Sequence, residues 1–232
     1  MRFRLMLYLR LTLLCLLPLQ AQAANMTELN FQDQDPGAPA YPTRVLVTGS
    51  FLRIDNGKGS EDFLLLDRKK NRVYEVTQER REILVIDAEQ PALAKPARWQ
   101  VREDVVLSPD SRTQHVNVYV NGVLCTQVTV VPKLLPDAAM ALGAYRQVLA
   151  GIQVLTYLDS PPELRNDCDL AQHVWEIARE FKHGLPIEQR YHDGRSRLLV
   201  DYHDKPYQAR LFVLPSGYRT VNIKELRAAP TK

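Results

Sequence analysis

Val116-Asn117-Val118-Tyr119-Val120-Asn121-Gly122-Val123 is the stretch whose reading decides the fold class. Valines at every second position, separated by Asn117 and Tyr119, have the period of a β-strand with one buried face. Asn121-Gly122 then supplies two residues that tolerate positive φ, as a tight hairpin turn requires, and the apolar run from Val123 to Val131 leads back. The spacing predicts an antiparallel hairpin with Cys125 on its second strand.

Upstream, Val45-Leu46-Val47, Phe51-Leu52-Arg53-Ile54, Phe63-Leu64-Leu65-Leu66, Arg72-Val73-Tyr74-Glu75-Val76 and Ile83-Leu84-Val85-Ile86 are short apolar or β-branched runs. Clusters of Asp, Asn, Gly and Lys separate them, notably Asp55-Asn56-Gly57-Lys58-Gly59 and Asp67-Arg68-Lys69-Lys70-Asn71. Short strands punctuated in this way predict an antiparallel meander. A second strand set runs from Trp99 to Val131. Residues 24–43 are polar and carry Asp35-Pro36-Gly37-Ala38-Pro39, so they read as irregular, with a single ordered domain over 44–232.

Downstream of the hairpin the period changes. From Pro136 to Leu158, Leu142, Tyr145, Leu149 and Ile152 recur at three and four, with Ala141, Val148 and Leu155 as a second stripe. A helix this apolar must be covered on most sides. Its length suits a membrane span, but an arginine such as Arg146 near the middle of a span costs about 2.5–3.5 kcal/mol, which favours a buried or lid helix. After Pro161-Pro162 a second helix is predicted from Asp167 to Gly184, capped by Asp167 or Asp169, with Leu170, Val174, Ile177 and Phe181 on one face. Strands are then expected over 187–191, 197–202, 208–214 and 221–226, with turns at Asp193-Gly194 and Pro215-Ser216-Gly217. The order predicts an α+β fold in which two helices, inserted before the last strands, cover an antiparallel sheet.

The first 23 residues read as a cleavable secretory leader. Arg2, Arg4 and Arg10 flank an apolar run that closes at Pro18, and Ala21-Gln22-Ala23 is a small-residue cleavage site, with cleavage after Ala23 or Ala24. Leu14 precedes Cys15 where a lipidated cysteine wants a small residue, and the run is too short for an anchor. The expectation is a periplasmic or secreted product with no stable membrane span after cleavage. Removing the leader takes three of the 30 basic residues and none of the 27 acidic ones, leaving 27 against 27. That balance offers no nucleic-acid footprint. Two cysteines remain, Cys125 and Cys168, and an oxidising compartment lets them bridge, with two free buried thiols as the alternative. Closing a loop of about 44 residues is worth around 4 kcal/mol on the chain-entropy account.

Phe51-Leu52-Arg53-Ile54-Asp55, Leu64-Leu65-Leu66-Asp67, Val73-Tyr74-Glu75-Val76 and Ile83-Leu84-Val85-Ile86 together resemble an uncharacterised family of secreted bacterial proteins. Gly184-Leu185-Pro186-Ile187, Asp193-Gly194-Arg195 and Leu214-Pro215-Ser216-Gly217-Tyr218-Arg219 resemble that family's tail. The family in turn is similar to the lipoprotein carriers LolA and LolB. The resemblance implies a sheet curled into a half-barrel whose concave face holds acyl chains, and an early-strand arginine, matched in type by Arg53, that fastens the helical lid. A solvated or salt-bridged strand arginine is the plainer alternative. The carriers insert helices earlier in the chain, and that departure leaves the binding role open.

An apolar helix over an apolar sheet face gives either a dry core or a groove. Groove lining would fall to Trp99, Tyr145, Leu149, Ile152 and Trp175, all of which also suit ordinary core. His183, His192 and His203 share one stretch, but none has the helical spacing of a zinc-protease motif, and both His-Asp pairs sit at predicted turns. No Gly-x-Ser-x-Gly elbow appears. No catalytic residue, metal or cofactor is expected. The leading expectation is a non-enzymatic periplasmic binding or carrier protein whose partner is a lipid or lipidated protein. A cell-envelope interaction module with a dry core comes second, and an extracytoplasmic metal-dependent hydrolase third.

Overall fold

A computed structural model describes residues 25–58, 62–89 and 93–228. The leader read at 1–23 lies outside them. Twelve strands form one sheet: β1 (Asn25–Gln34), β2 (Tyr41–Val47), β3 (Phe51–Asp55), β4 (Phe63–Asp67), β5 (Arg72–Thr77), β6 (Glu82–Asp87), β7 (Val101–Leu107), β8 (Gln114–Val120), β9 (Val123–Val131), β10 (Leu185–Tyr191), β11 (Ser196–Pro206) and β12 (Arg219–Asn222). Their spatial order is β12-β6-β5-β4-β3-β2-β1-β11-β10-β9-β8-β7, so the sheet is open, with β12 and β7 at its edges. The meander over 45–86 and the 116–131 hairpin form as expected. Asn121 and Gly122 turn the chain with φ of 48° and 86°. The fold is α+β, but the sheet is mixed and not wholly antiparallel, because β12 runs parallel to β6.

The expectation of an irregular segment over 24–43 is corrected. Asn25–Gln34 is a central strand, paired with β2 on one side and β11 on the other. Its polar residues disguised it, since Glu28 and Asp33 occupy buried positions there. Lys205 reaches the Glu28 carboxylate at 2.7 Å, and Arg197 grips Asp33 through two bonds of 2.6 and 2.7 Å. Buried carboxylates persist only when paired in this way, and both partners lie more than 160 positions away in sequence.

Helix α1 (Pro136–Asp159) lies against β2, β3, β5, β6 and β10. Ala138, Ala141, Leu142 and Val148 enter a core with Leu29, Val45, Leu52, Leu66 and Val73. Its length and composition also suit a membrane span, yet the most deeply packed of these residues face strands. Arg68 secures its first turn through two bonds to Asp137, at 2.7 and 2.9 Å. The other sheet face carries a second core of Leu46, Phe63, Leu65, Val76 and Ile83, closed by Phe212.

The second helix is far shorter than the apolar spacing suggested. Helix α2 spans only Asp167–Leu170, and Asn166 caps it in place of Asp167 or Asp169, accepting from the Asp169 N–H at 2.9 Å. A wide turn follows, in which the Glu176 N–H donates to the Ala171 carbonyl, and Ala178 then takes a left-handed conformation before a 3-10 turn at Arg179–Lys182. Tertiary bonds explain the break. Glu176 accepts from the Trp99 indole N–H at 2.9 Å and from Lys95 at 2.7 Å, and Arg179 bridges Glu176 to Glu103. These ties outweigh the local preference for a continuous helix. Gly184 follows with φ of 140°, where a Cβ would come within 2.5 Å of the Val131 carbonyl oxygen; no other residue fits there.

Cys125 on β9 and Cys168 on α2 form a disulfide, with S–S 1.97 Å and Cα–Cα 5.1 Å. In the tail, Ala209–Phe212 is a 3-10 turn where a strand was expected over 208–214. The expected strand over 221–226 ends at Asn222, because Asn222 and Glu225 cap each other and start α3 (Ile223–Ala228).

Candidate functional site

Between α1 and the sheet runs a cleft with two limbs. The larger, about 450 Å³, is bounded on the strand side by the side chains of Ile54, Leu64 and Ile86, with Asp62, Glu75 and Thr77 as polar neighbours. The smaller, about 240 Å³, lies where α1, residues 172–173, the end of β1 and the β10–β11 hairpin meet. Tyr145, Leu149 and Gln153 line both limbs, so the two adjoin along α1. The same face of α1 thus borders a more apolar limb and a more polar one.

Three of the five residues read as groove candidates meet here: Tyr145 and Leu149 in both limbs and Ile152 in the larger. All three also pack against the main core. Trp99 and Trp175 lie elsewhere. Their rings meet edge to face at 4.6 Å beside Val154, Leu170 and Val174, and neither lines either limb. They serve the break after α2, because Glu176 holds the Trp99 indole.

Arg53 does not fasten α1. It stacks over the Phe63 ring at 3.7 Å, pairs with Asp55 at 2.7 Å and donates to the Leu211 carbonyl at 2.9 Å. Strand alternation explains this: Leu52 points into the core beneath α1, so its neighbour faces the opposite side. Arg53 therefore ties down the 209–212 turn.

The polar limb is built from long-range pairs. Arg146 donates to Glu180 and, at 2.8 Å, to the Tyr191 hydroxyl, while Gln189 donates to the same Glu180 carboxylate at 3.2 Å. Burial lowers the Arg146 pKa, but Tyr191 and Glu180 outweigh it and hold the guanidinium firmly charged. Arg195 pairs with Asp193 at 2.5 Å. Gln172 anchors its turn by donating to the Cys125 carbonyl at 2.9 Å and to Thr126 at 3.1 Å, leaving its own side-chain oxygen buried without a partner among the described residues. His173 is pushed down to about 4, first by burial and then by Arg195 and Arg146. Burial pushes the Tyr145 phenol up to about 12.

Sequence reasoning found Tyr145 and Leu149 but missed the polar residues of this limb. Asp33 sat in the segment read as irregular, and nothing local links it to Arg197. Arg146 registered only as the polar band of an apolar helix. His192 and His203 do not act together as His-Asp units with their chain neighbours: His192 lies 3.7 Å from Asp169 and His203 lies 3.6 Å from Asp201. Among the described residues, no three His, Cys, Asp or Glu side chains gather as a metal site.

No protein-family description matches the sequence, and no curated protein matches it. Among solved structures, the chain is similar to an uncharacterised conserved protein from Thermus thermophilus, with a TM-score of 0.43 and 8% identity over 87% of this chain and 91% of that one. It is also similar to part of PNGF-II, with a TM-score of 0.38 and 10% identity over 88% of this chain. The matched region is 32% of the PNGF-II chain.

Proposed function

We propose that this chain is a periplasmic, non-enzymatic binding or carrier protein that holds an apolar or lipidated ligand between α1 and a sheet curled into a half-barrel. The observation that carries this reading is the larger limb of the cleft. Its volume of about 450 Å³ falls within the usual range of small-molecule sites, about 300–1,000 Å³. Ile54, Leu64 and Ile86 give it an apolar wall on the strand side, and Leu149 and Ile152 give it one on the helix side. Burying an alkyl chain there gains about 0.8 kcal/mol per methylene, enough for a short acyl chain to repay its ordering. The meander motifs resemble an uncharacterised secreted family that is in turn similar to the LolA and LolB carriers, and such a role would suit that resemblance.

Native mass spectrometry of protein expressed in the periplasm, followed by organic extraction, tests the proposal. The expected result is a stoichiometric acylated species. An apo mass that stays unchanged when acyl lipids are added would sink the binding role.

One observation favours an envelope interaction module as the second reading. Edge strand β7 exposes Val105, Val106 and Leu107 in succession. An open edge with apolar side chains is a surface to which another chain can add a strand.

A further inference from the structure

The polar limb is too elaborately built to be the blind end of an apolar groove, and its charges define what it accepts. Arg146, Arg195 and Arg197 border it, and each is already held by one carboxylate, respectively Glu180, Asp193 and Asp33. Asp35 adds a further carboxylate, which accepts from the Tyr41 hydroxyl at 3.3 Å. The fixed charges therefore cancel, with a slight negative excess. An entering anion meets no uncompensated cation. An entering cation must displace or crowd the guanidinium groups, which also hold His173 neutral.

What remains unspent is neutral hydrogen-bonding capacity. The Tyr145 hydroxyl, the His173 imidazole and the Gln153 amide line the limb, and none has a hydrogen-bond partner among the described residues. Each can both donate and accept. Burial keeps the phenol protonated, and the imidazole stays uncharged at neutral pH. Their polar atoms stay within reach of solvent, so a ligand head that bonds them takes the place of water there. Tyr145, Leu149 and Gln153 also line the apolar limb, so a molecule lying along α1 spans both chambers.

We infer that the cleft binds an amphiphile whose head is uncharged and carries hydroxyl or amide groups, seated against Tyr145, His173 and Gln153 while its acyl chain fills the apolar limb. The inference rests on the proposed binding role and specifies the chemistry of the ligand. An acylglycerol has this character; a free fatty acid and an alkylammonium do not.

The test is titration calorimetry at neutral pH with three ligands of equal chain length, each below its critical micelle concentration: monodecanoylglycerol, decanoate and decyltrimethylammonium. Monodecanoylglycerol is expected to bind at least about tenfold more tightly than either charged ligand, the difference expected for one or two hydrogen bonds. Tyr145→Phe removes a single oxygen, and it should erase most of that preference while the thermal midpoint stays within a few degrees of the parent. Gln153→Leu should reduce the preference by the same route from the other side of the head. Decanoate binding as tightly as monodecanoylglycerol would overturn the inference and leave the binding role intact. So would a preference that survives both substitutions. Failure of all three ligands to bind would overturn the binding role, and this inference with it.

Discussion

His173 carries the clearest pH dependence in the molecule. Its ordinary value of 6.5 falls to about 4 in the folded chain, through burial first and then through Arg195 and Arg146. As the pH drops below about 6.5 the unfolded chain binds a proton that the folded chain refuses, so stability declines until the folded imidazole titrates near 4. Over that window the loss should reach about 2–3 kcal/mol. Urea denaturation at neutral pH and near pH 4.5 measures it, and His173→Gln should remove most of the difference; an unchanged acid limb in the variant would refute the assignment. The depressed carboxylates act at lower pH. Burial raises Asp55, but bonds from Arg44, Arg53 and the Gly57 N–H outweigh it, so its stabilisation is present above the ordinary carboxylate value and is lost as pH falls through the lower folded one. None of this was legible in the sequence, where His173 was one polar residue between Leu170 and Val174. Tyr145, Leu149 and Ile152 were legible because a helical period marks which residues share a face. That period does not reveal which strands lie opposite.

At the level of elements, legibility followed the range of the interactions. The β8–β9 hairpin was readable because Asn121-Gly122 dictates its own turn. The break after α2 was not, because Lys95, Trp99 and Glu103 enforce it from more than 70 positions away. The Cys125–Cys168 bridge joins these two levels. It fastens the short helix α2 to a strand of the sheet, with Gln172 bonding the same strand through the Cys125 carbonyl. With 43 positions between the cysteines, opening the bridge should destabilise the chain by about 4 kcal/mol. Denaturant titration with and without reductant, or of a Cys125→Ala, Cys168→Ala double variant, checks this. Loss of less than about 1 kcal/mol would show that Gln172 and the Glu176 cluster hold the segment unaided.

For the whole molecule, the decisive feature is the junction of β1 with β11. Its register runs from Asn25 opposite Pro206 to Gln34 opposite Ser196, whereas β11 meets its hairpin neighbour β10 only over Glu188–Arg190. The strand from residues 196–206 is thus bound more extensively to the first strand than to the one just before it. Hydrogen exchange should show this order: amides of β1 among the slowest, and those of the edge strands β7 and β12 among the fastest. β1 amides exchanging as rapidly as those of β7 would contradict the arrangement. The sequence could not announce this junction, because strand alternation identifies strands but not the partners they find more than 160 positions away.

That junction also fixes a biosynthetic order. While the chain is being made, β1 and β2 are complete long before Ser196–Pro206 emerges, so one full side of β1 stays without its partner for most of synthesis. Contacts this distant in sequence place the fold among those that assemble slowly, in milliseconds to seconds. During that interval the waiting strand presents free backbone donors and acceptors. Glu28 and Asp33, still without Lys205 and Arg197, hold charge on it then. The same carboxylates that hide the strand from a reader of the sequence therefore protect it from pairing with the wrong chain before its own partner arrives.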